Sequence, residues 1–231
     1  MNICVIPARG GSKRIPKKNI KLFCGKPIIS WSIEAALNSK CFDRIIVSTD
    51  NDEIKKIANH FGAETPFTRP DELSDDFSST ADVIKHAIEL QNDIEQDHDI
   101  VCCIYPTAPF IRSSDILKGL QVLLDFEADY SLSVTSYPYP IQRALKLNEQ
   151  NLIDMVSPQY LNSRSQDLDP NFHDAGQFYW GRASAWLNSR PIFGGNSRSV
   201  YIPRYRAQDI DDEEDWISAE LMFQNISSTE R

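Results

Sequence analysis

Short apolar runs rich in β-branched residues alternate along the chain with longer stretches in which apolar positions recur at helical spacing. The first kind predicts strands at residues 3–7, 44–48, 64–67, 100–105 and 130–135. The second predicts helices at 27–37, 52–61, 80–90 and 116–126, with Ile29, Ile33 and Leu37 forming one stripe of the first. Pro27 stands at a helix start, and Ser79-x-x-Asp82 reads as a capping box ahead of Thr80. This alternation predicts β-α-β units, hence an α/β fold with a mostly parallel sheet.

After residue 135 the rhythm breaks. The stretch SYPYPIQRALKLNEQNLIDMVSPQYLNSRSQDLDPNFHD is rich in Pro, Asn and Ser and carries no helical stripe. It is read as short strands and loops, with 137–172 a small irregular excursion serving as a dimer arm or a specificity segment. Regularity returns with strands at 176–180 and 199–203 and a last helix at 213–223. At 231 residues the chain suits one domain, 1–231, with this excursion.

Composition narrows the classes. No apolar run is long enough to span a bilayer, and the N-terminal residues lack the pattern of a signal peptide, so a cytoplasmic protein without a membrane partner is expected. The cysteines (Cys4, Cys24, Cys41, Cys102, Cys103) have no C-x-x-C spacing, and with His60, His86, His98 and His173 they form no zinc pattern. The net charge of −9 argues against a nucleic-acid partner. It conceals an asymmetry, because seven of the 24 Lys and Arg fall in residues 1–30, which hold none of the 33 acids. Localised positive charge suits a small anionic ligand.

That charge lies in VIPARGGSKRIPKKNIK, where the predicted first strand runs into two glycines. A Gly-Gly turn exposes backbone N–H groups to an anion. Ser12 adds a hydroxyl, and Arg9, Lys13 and Lys18 add the charge-assisted bonds that a polyphosphate needs. The spacing is neither a Walker A loop nor G-x-G-x-x-G. A solvated basic loop would carry the same charge, but ligands of open α/β sheets bind at the carboxyl ends of the strands, and the loop sits there. A second cluster is the acidic run 209–215. Its last four residues, 212–215, read as helix N-terminal acids, whereas Asp209 and Asp211, two apart in an extended piece, point the same way and can meet one hard cation.

IPARGGSKRIPKKNI resembles the N-terminal signature of the cytidylyltransferases that activate nonulosonic acids, the CMP-sialic acid synthetase family. CFDRIIVSTD, RPDELSDD, YPTAPFIR and QDIDDEED follow in family order, so the resemblance runs from residue 3 to about residue 223. YPIQRAL and SQDLDPNFHDAGQFYWG are most similar to the branch acting on pseudaminic acid. The resemblance implies a Rossmann-like three-layer nucleotidyltransferase that moves CMP from CTP to the anomeric hydroxyl of an acidic nine-carbon sugar, with Mg²⁺ and release of pyrophosphate. It also implies a homodimer.

By position, Ala8, Arg9, Gly11, Ser12, Lys13, Lys18 and Asn19 would hold the nucleotide, with Arg69 and Thr80 facing cytosine and ribose. Asp209 and Asp211 match the family's metal site and, with Arg9 and Lys18, carry catalysis. Tyr105, Gln142, Arg143, Arg164, Gln166, His173, Asp174, Gln177 and Tyr179 fall in regions that meet the sugar. Tyr105 stands where related enzymes often place Gln or Asp, so a metal ligand from that strand is not expected. Asp50 is a substitute, with helix capping as its other reading. The tryptophans Trp31, Trp180, Trp186 and Trp216 are read as core or interface packing. Sialic acid, legionaminic acid or a 3-deoxy-octulosonic acid as acceptor, a regulatory nucleotide-binding domain without turnover, and a D-x-D glycosyltransferase remain the alternatives.

Overall fold

A computed structural model of the chain describes residues 1–91, 94, 95 and 99–229; His98 lies outside them. The elements run β1 (Asn2–Pro7), β2 (Leu22–Phe23), β3 (Lys26–Pro27), α1 (Ile28–Ser39), β4 (Arg44–Ser48), α2 (Asp52–His60), α3 (Thr80–Glu89), β5 (Ile100–Ile104) and α4 (Ser113–Asp125). They continue with β6 (Tyr130–Ser136), β7 (Leu145–Leu147), β8 (Ile153–Met155), β9 (Phe172–Arg182), α5 (Ala183–Leu187), β10 (Ser197–Tyr201) and α6 (Glu213–Thr229).

Six strands form the central sheet in the order β10-β6-β9-β5-β1-β4. β1 is parallel to β4 and β5, and β6 is parallel to β10. Only β9 runs against its neighbours, β5 and β6. The mostly parallel sheet thus has one reversed strand at its centre, joined to β6 through the irregular excursion.

Alternation along β1 feeds both faces of the sheet. Ile3 and Val5 join one buried cluster with Ile84, Tyr130 and Trp186, while Cys4 and Ile6 join another with Ile29, Ile33 and Trp180. Successive residues of a strand point to opposite faces, so helices cover both sides and the three-layer expectation holds. Leu37 is the exception on its helix stripe, remaining exposed.

Residues 64–67 do not form the expected strand. Glu64 donates to Ile45 O and accepts from Val47 N at 2.7 and 2.8 Å, giving one isolated bridge. Pro66 lacks the N–H that a ladder would require next. Strand β9 is longer than the expected 176–180 because its first residues pair with the end of β6. Helix α5 was not expected at all: five residues are too few to show a period.

The excursion at 137–172 contains the antiparallel pair β7 and β8 and several single turns. Leu145, Leu147, Leu152, Ile153, Val156 and Leu161 are each between 56% and 67% exposed, so this segment has no core of its own. No helix among the described residues is long and apolar enough to cross a membrane.

Candidate active site

The basic loop leaves β1 at Pro7, at the carboxyl end of the parallel strands. Gly10 is required by close approach: a Cβ there would lie 2.9 Å from Asn51 Nδ2. Its N–H donates to Asp50 Oδ1 at 2.8 Å, so this amide is committed inside the protein rather than offered to an anion. Asp50 therefore does not cap α2; Asn51 does, accepting from Glu53 and Ile54 N. The residue that takes left-handed backbone in the loop is Lys17, with φ 54°. Asn19, buried, donates to Arg9 O at 2.9 Å and closes the loop on itself.

A cavity of about 570 Å³ opens over this loop, lined among others by Arg9, Ser12, Lys13, Lys18, Asn19, Arg69, Thr80, Tyr105 and Asp211. All seven cations of residues 1–30 have acidic partners from elsewhere in the chain. Lys17 pairs with Glu53 and Lys21 with Glu213, each at 2.6 Å, and Lys26 pairs with Glu34. These three fasten the loop and its flank to α2, α6 and α1. The other four line the cavity. Arg9 and Lys13 converge on the two oxygens of Asp76 at 2.7 and 2.5 Å, and Arg9 also donates to Asp75 O. These partners hold the Asp76 carboxyl below the ordinary carboxylate range.

Arg14 and Lys18 meet Asp211 at 2.7 and 3.7 Å, and Lys18 donates to Ile210 O at 2.6 Å. A buried apolar peg on each side brings these segments together. Ile15 in the basic run and Ile210 in the acidic run are both 0% exposed and share a cluster with Phe23, Phe110 and Trp216. Burying each Ile forces its charged neighbours to the rim of the cavity. Burial lowers the Lys18 ammonium from its ordinary value, with Asp211 and Asp209 acting the other way. Desolvation, then the charge of Asp211, raises the Asp209 carboxyl. Asp212 accepts from Glu214 and Asp215 N while Asp215 accepts from Asp211 and Asp212 N, so the end of the acidic run caps α6.

Two carboxylates supply hard oxygen ligands of the kind Mg²⁺ takes together with substrate phosphates, so Asp209 and Asp211 fit that ion. Among the described residues no group of three or more His, Cys, Asp or Glu is placed to hold a metal. Any ion here would complete its shell from water and substrate.

Arg69 is only 3% exposed, yet its Nε and Nη2 have no hydrogen-bond partner, and Asp50 Oδ1 lies 4.0 Å away. Burial lowers its pKa, with Asp50 opposing and Arg9 reinforcing the shift. Arg69 lines the cavity, but its Nε and Nη2 are themselves buried, so a ligand with paired acceptors would meet them once the side chain turns. Thr80, at the start of α3, lies 3.4 Å from the Tyr105 hydroxyl, which is 3.4 Å from that of Tyr179.

The remaining sugar-facing candidates lie outside this cavity. Gln142 donates to Asp169 O, Arg143 to Ser165 Oγ, and Arg164 pairs with Asp167, all within the excursion. Gln166 is an exposed residue of the same excursion. His173 bonds Asp174 O and packs on Tyr137. Gln177 is buried, with Nε2 on Arg206 O. Ala8 is wholly buried, and neither it, Gly11, Asp209 nor Tyr179 lines the cavity. Sequence reasoning missed Asp76 and Arg14. Asp76 lies within the RPDELSDD motif and Arg14 within the basic run, so residue type was a signal, but neither pairing can be read from spacing.

The family model described as Cytidylyltransferase matches residues 3–183. A pseudaminic acid cytidylyltransferase of Campylobacter jejuni subsp. jejuni serotype O:2 is 44% identical over 222 residues, 96% of each chain. An N-acylneuraminate cytidylyltransferase of Escherichia coli O18:K1:H7 is 30% identical over 93% of this chain and 50% of its own. Among solved structures, a CMP:2-keto-3-deoxy-manno-octonic acid synthetase complexed with CTP shares the fold, with a TM-score of 0.72 over 97% of this chain and 98% of its own at 18% identity.

Proposed function

The chain belongs to the cytidylyltransferase family, and from that premise we propose that it transfers CMP from CTP to the anomeric hydroxyl of a nonulosonic acid, pseudaminic acid, with release of pyrophosphate. The observation that carries this reading is the convergence of Arg9, Lys13, Lys18 and Asp211 on one cavity at the strand ends. The identity to the Campylobacter relative along both chains supports the choice of sugar.

Triphosphate oxygens replace the Asp76 carboxylate at Arg9 and Lys13, exchanging one anion for another at the same cations. Arg69 turns its idle Nε and Nη2 to the acceptor edge of cytosine, and Thr80 meets the ribose. The sugar hydroxyl attacks the α-phosphorus in line, and the bond to pyrophosphate breaks. Lys18, held in place by Ile210 O, offsets the charge that develops on the leaving group. Asp209 and Asp211 are the residues that would hold Mg²⁺, and the ion would supply further neutralisation of that charge.

The whole chain, 1–231, acts as one catalytic domain, and the excursion 137–172 pairs two copies through its exposed apolar side chains. Gln142, Arg143 and Arg164 reach an acceptor sugar from that surface, with His173 beside it at the start of β9. Five free thiols suit the reducing cytoplasm.

Pyrophosphate release from CTP with pseudaminic, sialic, legionaminic and 3-deoxy-octulosonic acids supplied separately tests the reading. Pseudaminic acid should give the highest kcat/KM, and preference for another acid would overturn the choice of sugar. Titrations should show binding of CTP in preference to CDP-sugars; the reverse would favour a glycosyltransferase. Unchanged turnover of Asp209→Asn at saturating Mg²⁺ would refute the metal assignment.

A further inference from the structure

Strand β10 ends at Tyr201 and helix α6 begins at Glu213, and the strap between them carries both Asp209 and Asp211. After a single turn at Arg204–Arg206, residues 207–211 belong to no helix or strand, so no ladder sets where these carboxylates stand. Buried side chains recur along the strap at Ile202, Arg206 and Ile210. Ile202 is tied to the sheet, its N–H donating to Val134 O at 2.8 Å, and Ile210 is the apolar peg beside the acidic run. The middle pin is a charge, and arginine is rarely buried unless it is paired.

Arg206 is held at both ends. Its guanidinium reaches Asp115 in the first turn of α4, Nη1 donating to Oδ2 at 2.5 Å with Nη2 3.4 Å from Oδ1. Burial opposes the charge on Arg206, but the bond to Asp115 and its negative charge, with Tyr205 adding to them, raise the guanidinium pKa. Its carbonyl accepts from Gln177 Nε2. Gln177 is a buried residue of β9 whose own backbone is fixed by the adjoining strands: its N–H donates to Ser133 Oγ at 3.3 Å, and its carbonyl accepts from Tyr105 N at 3.0 Å. The Gln177 side chain therefore links the sheet, beside the cavity-lining Tyr105, to the strap three residues ahead of Asp209.

This arrangement adds little to stability. Arg206 Nε and Gln177 Oε1 are buried without hydrogen-bond partners, and each such atom carries a desolvation cost. Apolar residues of similar size often replace a buried ion pair without loss of stability. What the charged clamp supplies is direction, because a guanidinium fork on a carboxylate and a carbonyl aimed at an amide fix how the chain leaves Arg206. We propose that Arg206 and Gln177 are positioning residues that, with Asp115, fix the strap so that Asp209 and Asp211 face one divalent cation. The inference rests on the reading of those two carboxylates as the residues that would hold Mg²⁺. It gives Gln177 a role inside the protein rather than at the sugar.

The test titrates Mn²⁺ into the whole protein, alone and again with CTP, and follows the ion by electron paramagnetic resonance beside the melting temperature. Gln177→Met should weaken Mn²⁺ binding about tenfold. Arg206→Met alone leaves the Asp115 charge buried and should lower the melting temperature. Arg206→Met combined with Asp115→Leu should recover it, while Mn²⁺ binding stays weakened about tenfold. Recovery of metal binding together with stability would reduce the pair to a structural role and overturn the proposal, as would wild-type Mn²⁺ affinity in Gln177→Met. Amide hydrogen exchange of the substrate-free protein supplies an arm that needs no metal. Residues 207–211 should exchange about tenfold faster in Gln177→Met, and unchanged exchange also overturns the clamp. A wild-type protein that binds no Mn²⁺, alone or with CTP, sinks the metal reading itself, and the exchange rates still decide whether the strap is clamped.

Discussion

The basic loop after β1 and the excursion between β6 and β9 are both irregular, yet the protein holds them in different ways. The loop is pegged by Ile15 and tied by ion pairs to α2, α6 and the 71–79 segment. The excursion bonds mainly to itself and leaves six large aliphatic side chains more than half exposed. The first arrangement preorganises the proposed nucleotide site within one chain. The second would be covered by a partner copy in the proposed dimer, so candidate sugar contacts carried there need not meet the cavity of their own chain.

Lys18→Met gives the largest predicted break, lowering kcat/KM for CTP by about 10²–10³-fold in steady-state assays, because no other ammonium is seated on Ile210 O. Arg69→Met should raise the CTP KM by about 10-fold or more, since two charge-assisted donors are lost. Its melting temperature should hold or rise, because Arg69 is a buried charge whose Nε and Nη2 are unpartnered in the folded chain. A sharp drop in Tm would mean that Arg69 serves the fold instead. Asp76→Asn works in the opposite direction. It removes the anion that CTP must displace, and titration should show binding tighter by no more than about fivefold, the range of an exposed ion pair. The smallest effect on nucleotide belongs to the excursion. Leu147→Asp with Ile153→Asp should shift the oligomeric state in sedimentation while CTP affinity stays within about twofold.

The same contrast explains what could be read from the chain itself. β1, β4, β5 and β6 are short apolar runs whose burial is local in origin, and they lie within a residue or two of expectation. The reversed β9 was not legible, since its neighbours β5 and β6 are chosen by a chain return through the excursion. Arg9, Lys13 and Lys18 announce an anion site by type and position. Their partners, Asp76 and Asp211, are fixed by tertiary packing, and two of the four cavity cations answer to a segment nearly 200 residues away. Gly10 was visible as a glycine, but its reason, the approach of Asn51, belongs to the fold.

The pegs Ile15 and Ile210 also set an order of events in synthesis. Lys18 and the carbonyl it grips are 192 residues apart, so the two halves of the site meet only through a contact of very high sequence separation. A nascent chain can form β1, its loop and several β-α units while Asp209 and Asp211 are still unmade. The contacts on which the proposed nucleotide and metal binding would depend therefore cannot form until the acidic run and the start of the last helix have been made.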